Sequence, residues 1–222
     1  MSEADLEVDD HLKSVLTEAR PDYGWLSEET TDDLARLDKR RLFIVDPIDG
    51  TRSFLAGEKT WSHSLAIAEG GKITAAVIFL PAHQKIYAAA LGSGATCNGR
   101  SLSSSGRTDL AGAKVLATRA NFDARYWPVG VPPVERHFRS SLAYRLALVG
   151  EGRFDGMLTL RSTWEWDVAA GTLIAAEAGA TACTTDGAAP QFNNPDPKLP
   201  GLVVATPFIH AGLMQALGKA TS

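Results

Sequence analysis

The stretch RLFIVDPIDGTRSF, residues 41–54, decides how the chain is read. Four apolar residues, 42–45, lead into Asp46 and Asp49, which stand three positions apart with Pro47 between them and Gly50-Thr51 behind. Two carboxylates at the end of a buried strand repel one another unless something compensates their charge. Pro47 has a fixed φ and pushes Asp46 toward extended backbone, so the strand is expected to end there and the chain to turn. Gly50 permits close backbone approach, and Thr51 opens a helix-like turn with free N–H groups. Such a turn gathers two carboxylates, a main-chain carbonyl and amide donors. Oxygen ligands of that kind suit a hard divalent cation, and the amides suit a phosphate. A metal ion is the expected compensation, against the plainer reading in which both aspartates merely accept backbone hydrogen bonds.

Spacing excludes three other sites. An EF-hand loop starting at Asp46 would need acidic residues where Ile48 and Gly50 stand. A D-x-D-G-T phosphotransferase loop would need its nucleophilic aspartate at position 47, which is Pro47, so water is the expected nucleophile. Gly71-Lys72 lacks the remainder of a P-loop, and no G-x-S-x-G elbow occurs.

Outward from this turn the pattern is layered. Ser2 and Asp5 read as the cap of an N-terminal helix with Val8, Leu12, Val15 and Leu16 on one face. HSLAIAEGGKITAAVIFL reads as two strands joined at Gly70-Gly71, with a third near KIYAAAL. Past the Gly- and Ser-rich stretch 92–109 the texture changes. This predicts a boundary near residue 110, with an antiparallel sheet-plus-helix half over 1–110 and an α/β half over 111–222. In the second half, AKVLAT is an expected strand. SSLAYRLALVGEG is an expected helix with Leu142, Leu146 and Val149 on one face and Gly150 at its C-cap. WEWDVAAGTLIAAEAGA is a second helix stopped at Gly179, LVVAT is a strand, and residues 209–217 form a last helix. Strands alternating with helices give an α/β layered fold.

Composition bounds the function. A chain of 222 residues with 45% hydrophobic and 22% charged residues is long enough for a substantial core. Its formal charge of -4, with scattered basic residues, offers no footprint for nucleic acid or a membrane surface. Cys97 and Cys183 belong to no Cys/His cluster, and the five histidines show no metal spacing, which argues against zinc and for a reducing compartment. No segment reaches the ~20 apolar residues of a membrane span, and the acidic N-terminus is unlike a signal peptide. A cytoplasmic location is expected.

Two more acidic segments flank the turn. WLSEET supplies Glu28 and Glu29, and WEWDVAAG places Asp167 in a first helical turn. Each alone fits a solvated or dipole-stabilising acid. Together with Asp46 and Asp49 they give a set of oxygen ligands from separate segments.

The motifs LSEE (26–29), VDPIDGTRSF (45–54) and WDVAAGTLIAAEAGA (166–180), in that order, resemble the inositol monophosphatase family of magnesium-dependent, lithium-sensitive phosphomonoesterases, and the similarity covers essentially the whole chain. The resemblance implies alternating α-β-α-β-α layers. It implies that Glu28, Asp46 and the carbonyl of Ile48 bind one Mg²⁺, that Asp46, Asp49 and Asp167 bind a second, and that a looser third sits near Glu28, with Mn²⁺ as a substitute. It implies that the amides of Gly50 and Thr51 hold the phosphate, and that Asp5 with Thr51, or Glu28 with its metal, activates the attacking water. A homodimer is implied by the resemblance alone.

Two departures stand out. Family members usually carry a helix and a β-hairpin ahead of the segment matching SEADLEVDD, and these have no counterpart here. Where inositol-specific members place a glutamate before the third-motif aspartate, this chain has Thr159-Leu160-Arg161. Inositol phosphate is the default substrate. The rival is a 3′-phosphonucleotide such as 3′-phosphoadenosine 5′-phosphate, with Arg161 meeting a second phosphate and Ser141, at a helix start, also facing substrate. A different alternative is a non-catalytic regulatory binding partner. His63 is expected to be structural, and Trp164 and Trp166 to pack rather than stack on a base.

Overall fold

The computed structural model describes residues 2–219. Helix α1 (Glu3–Ala19) opens with the expected capping box, in which Ser2 and Asp5 satisfy each other's backbone N–H groups. Its inward face differs from expectation. Val8, Leu12 and Leu16 are only half-buried and Val15 is exposed, while the two fully buried residues are Asp5 and Asp9. The helix is therefore fixed by polar contacts as much as by apolar ones.

Seven strands follow in one sheet, in spatial order equal to chain order: β1 (Gly24–Ser27), β2 (Arg41–Asp49), β3 (Ser62–Glu69), β4 (Lys72–Leu80), β5 (Lys85–Ala90), β6 (Ala95–Cys97) and β7 (Arg100–Ser101). Only β1 and β2 run parallel. The β3–β4 hairpin turns at Gly70 and Gly71, whose φ values of 58° and 80° suit a primed turn and explain why two glycines stand there. A short helix α2 (Thr51–Leu55) follows β2.

The second sheet has the order β12 (Thr181–Cys183), β14 (Leu202–Ala205), β10 (Gly156–Thr159), β8 (Lys114–Leu116), β9 (Glu135–His137). A two-stranded ribbon pairs β11 (Thr163–Trp164) with β13 (Lys198–Leu199). Between the sheets lie α3 (Leu142–Gly150) and α4 (Glu165–Glu177), and α5 (Pro207–Ala216) covers the outer face of the second sheet. The layers thus alternate α-β-α-β-α.

One core joins the first sheet, α3, α4 and the second sheet; a second joins that sheet to α5. Each fully buried Leu or Ile in them contributes about 1.5–3 kcal/mol of apolar transfer. The small residues of α4 permit an unusually close helix pair. A Cβ on Gly171 would stand 2.4 Å from Leu146 Cβ. Gly150, expected at a C-cap, is instead the last residue of α3, packed against Ile174 and Ala175 of α4; the left-handed residue is Gly152, with φ 71°. Helix α5 starts earlier than expected, with Pro207 in its first turn, where a missing N–H costs nothing.

Candidate active site

The strand bearing Asp46 does not end at the proline. β2 continues to Asp49, but its register against β3 shifts from Asp46↔Ser64 to Asp49↔Ser62, so Pro47 and Ile48 together oppose His63. This is a β-bulge, and it decides the site. Side chains alternate along a strand, so residues three apart would face opposite ways. One extra residue restores Asp46 and Asp49 to the same face. Pro47 lacks an N–H to lose, and its carbonyl is taken by the Nδ1 edge of the His63 ring. His63 stacks on Phe79 and meets Trp61 edge-on, the structural role expected of it.

Parallel pairing of β1 with β2 carries Glu28 to the same end: its N–H donates to the carbonyl of Val45 at 3.3 Å, beside Asp46. From the other side, the first turn of α4 brings Asp167, with Ser64 Oγ donating to the carbonyl of Trp166 at 3.2 Å. Carboxylate oxygens of Asp46, Asp49 and Asp167 all lie within 4.8 Å of one another.

The electrostatics are those of crowded buried acids, with the Arg145 charge acting on Asp49 and Asp167 but forming no salt bridge with them among the described residues. Burial, then the charges of Asp49, Glu28 and Asp167, raises Asp46 well above the ordinary carboxylate range. Burial, then Asp49 and Glu28, pushes Asp167 up to about 8. Burial, then Glu29, Asp49 and Asp5, pushes Glu28 up to about 7. Asp49 is raised less freely, since Ser141 Oγ and the Ala143 N–H both donate to its Oδ2 at 2.6 Å. Asp46 Oδ1 is buried with no hydrogen-bond partner among the described residues. An orphaned buried acceptor among clustered carboxylates fits a divalent cation, which takes carboxylate and carbonyl oxygens and needs no hydrogen.

The remaining expected residues fall around this cluster. Gly50, at φ 94°, begins α2, with its Cβ position 3.2 Å from the Thr60 carbonyl. Thr51 Oγ1 lies 3.2 Å from Asp5 Oδ1 and 3.1 Å from the Ile48 carbonyl, so the hydroxyl links the turn to α1. Arg161 is exposed on the rim of a cleft of about 300 Å³, which also includes Asp49, Asp167, Thr118, Arg145 and Trp164. Ser141 is not on that surface. It is fully buried, caps α3 by accepting from the Tyr144 N–H at 2.8 Å, and spends its hydroxyl proton behind Asp49. Trp164, 39% exposed at the cleft, stacks on Trp166 at 4.6 Å, with the Lys198 ammonium 4.1 Å from its ring centroid, while Trp166 is buried.

Three contributors escaped the sequence reading. Asp9 accepts from the hydroxyls of Ser27 and, at 2.7 Å, Thr30, tying the segment around Glu28 to α1; its i, i+4 spacing from Asp5 was the available signal. Arg145, 4% exposed, lines the cleft and forms no salt bridge among the described residues. Its guanidinium donates to the carbonyls of Arg139 and Ser140 and lies over Phe138. Glu165 is fully buried beside Asp167 and bonds residues 193 and 194.

The chain is similar to known proteins over essentially its whole length. The family model described as Inositol monophosphatase family matches residues 1–222. An inositol-1-monophosphatase of Mesorhizobium japonicum is 34% identical, the match covering 100% of this chain and 84% of the relative. A 3′-phosphoadenosine 5′-phosphate phosphatase of Mycobacterium leprae is 31% identical over 87% of this chain and 73% of its own. The crystal structure of the extragenic suppressor protein suhB from Bartonella henselae superposes with a TM-score of 0.83 at 30% identity, covering 98% of this chain and 88% of that one. With the carboxylate-bearing bulge, the layered fold and a full-length family match in agreement, the chain belongs to the inositol monophosphatase family.

Proposed function

We propose that the protein hydrolyses a small phosphate monoester with the aid of Mg²⁺, water being the nucleophile. The single observation that carries this is the clustered set Asp46, Asp49 and Asp167, with an Asp46 oxygen that no described residue satisfies. Asp46, Asp49, Asp167, Glu28 and the Ile48 carbonyl would hold the cations; bound there, they supply positive charge and Lewis acidity to an acidic protein that must take an anionic substrate.

The chain's own groups have definable tasks. Gly50 and Thr51 begin a helix whose first N–H groups lack intrahelical partners and can donate to phosphate oxygens. Thr51, bonded to Asp5, orients a water on its hydroxyl oxygen, and the Asp5–Thr51 pair or Glu28 accepts the proton that the water gives up. Ser141 and the Ala143 N–H hold one oxygen of Asp49, leaving the other free to act as a ligand. Phosphate monoester hydrolysis asks mostly for charge neutralisation and alignment, which this set provides.

Inositol phosphate is the first substrate to test, because relatives 34% and 36% identical to this chain are named inositol-1-monophosphatases. The cleft also supports a second reading. Arg145 and Arg161 line it, and their charges would favour an ester with a further anionic group, such as 3′-phosphoadenosine 5′-phosphate. Phosphate release from inositol 1-phosphate and from 3′-phosphoadenosine 5′-phosphate, measured side by side with Mg²⁺ and with a chelator, tests both. Turnover of neither ester, with or without Mg²⁺, would favour a regulatory binding role.

A further inference from the structure

Residues 191–198 cross the start of α4 as a strap, and its fastenings are polar and buried. Glu165 is fully buried and accepts from the Asn193 N–H at 2.7 Å, the Asn194 N–H at 2.9 Å and the Asn194 side-chain amide at 2.7 Å. Its own N–H donates to the carbonyl of Pro197 at 2.9 Å. From the opposite side Arg36, 2% exposed, donates to the Asn194 carbonyl at 2.8 Å while its Nε and Nη2 grip Asp32 at 2.9 and 2.7 Å. The Phe192 N–H, donating to the Gly71 carbonyl at 3.0 Å, ties the strap to the β3–β4 turn.

The placement of these groups is what matters. Asp32 and Arg36 belong to the loop that leaves Glu28, and Glu165 stands two residues before Asp167. The strap is thus the material between two segments that each deliver a carboxylate to the cluster. A loop could be held there by apolar side chains at lower desolvation cost, since burying charges seldom adds net stability over well-packed hydrophobic groups. What charged, multiply bonded groups do add is a fixed geometry. Carboxylates that repel one another, as these do, need such fixing before any cation arrives.

We infer that Arg36 and Glu165 are positioning residues, which act through residues 193–195 to set the Glu28 segment and the Asp167 turn at the spacing a cation requires. This rests on the metal-assisted reading above. The test is Mn²⁺ binding without substrate, followed by calorimetry and electron paramagnetic resonance, for wild type, Arg36→Gln, Glu165→Gln, and a control. Gly171→Ala is the control, because it disturbs α4 packing and touches no part of the strap. Both strap variants are expected to bind Mn²⁺ about tenfold more weakly, with phosphatase kcat at saturating metal changed far less than the metal requirement. The control is expected to melt earlier and bind Mn²⁺ as wild type does. Should a strap variant fail to fold, Asn194→Ala, which removes one side-chain contact to Glu165, is expected to lose Mn²⁺ affinity in the same direction. Unchanged Mn²⁺ affinity in folded strap variants, or an equal loss in Gly171→Ala, overturns the positioning role and leaves the phosphatase reading intact. Wild-type protein that binds no Mn²⁺ overturns both.

Discussion

Asp46 and Asp49 share one face of β2 because a single extra residue is inserted opposite His63. Two buried acids are held within ligand distance of each other and of Asp167, and among the described residues neither forms a salt bridge. At pH 8.5, where the cluster is most ionised, removing one of these acids should therefore relieve repulsion in the metal-free protein. Asp46→Asn is expected to raise the melting temperature in chelator by a few degrees, about 2–4 °C for each kcal/mol at this chain length. It is also expected to abolish the stabilisation that Mg²⁺ gives wild type. Differential scanning calorimetry with and without Mg²⁺ reads both effects.

The same repulsion fixes the sign of the pH dependence. Asp167, pushed up to about 8, and Glu28, pushed up to about 7, hold protons in the folded state that the unfolded chain releases near the ordinary values of 3.8 and 4.5. Groups with raised pKa stabilise the fold fully below the unfolded value, and that contribution is lost as pH rises through the folded value. Metal-free protein should thus melt at a lower temperature at pH 8.5 than at pH 5.5, across the ~4–8 window set by those shifts. Saturating Mg²⁺, which replaces the protons, should shrink the difference. Thermal melts at the two pH values in chelator and in Mg²⁺ check this.

Helix α4 lies against α3 at a distance only glycine allows. Gly171→Ala puts a methyl group 2.4 Å from Leu146 Cβ, an atom that cannot rotate away. A cost of about 1–3 kcal/mol is expected from overpacking. Leu146→Ala in the same chain should cost somewhat less than the sum of the two single changes, because it removes Leu146 Cδ1 and Cγ, 2.6 and 3.1 Å from the new methyl, while the Cβ contact remains. Urea unfolding of the four proteins measures the coupling.

Asp9 anchors the segment that carries Glu28 through the hydroxyls of Ser27 and Thr30. Asp9→Ala leaves both without their acceptor, at about 1.5–3 kcal/mol for a hydrogen bond to a charged group. The loss should appear as faster hydrogen exchange in residues 27–30, with the first sheet otherwise protected as before. Exchange unchanged at those amides would remove Asp9 from this role.

Local patterns carried most of the fold. Gly70-Gly71 marked its hairpin, the Ser2–Asp5 box marked α1, and the three acidic motifs marked the segments that meet. What escaped was set by partners distant in sequence. Pro47 reads as a strand end until Ser62 and Ser64 supply the register that makes it a bulge. Gly150 reads as a cap until α4 is seen packed on it. Ser141 reads as a substrate contact until Asp49, 92 residues away, takes its hydroxyl. Nothing near Glu165 in sequence announces Arg36, because the two meet only through residues 193 and 194.

The most direct measurement is an anomalous difference map from crystals soaked in Mn²⁺. Density is expected among the carboxylates of Asp46, Asp49 and Asp167, with Glu28 and the Ile48 carbonyl contributing oxygens. A map without ions there, and with those side chains turned apart, would contradict metal-assisted phosphate hydrolysis at this site.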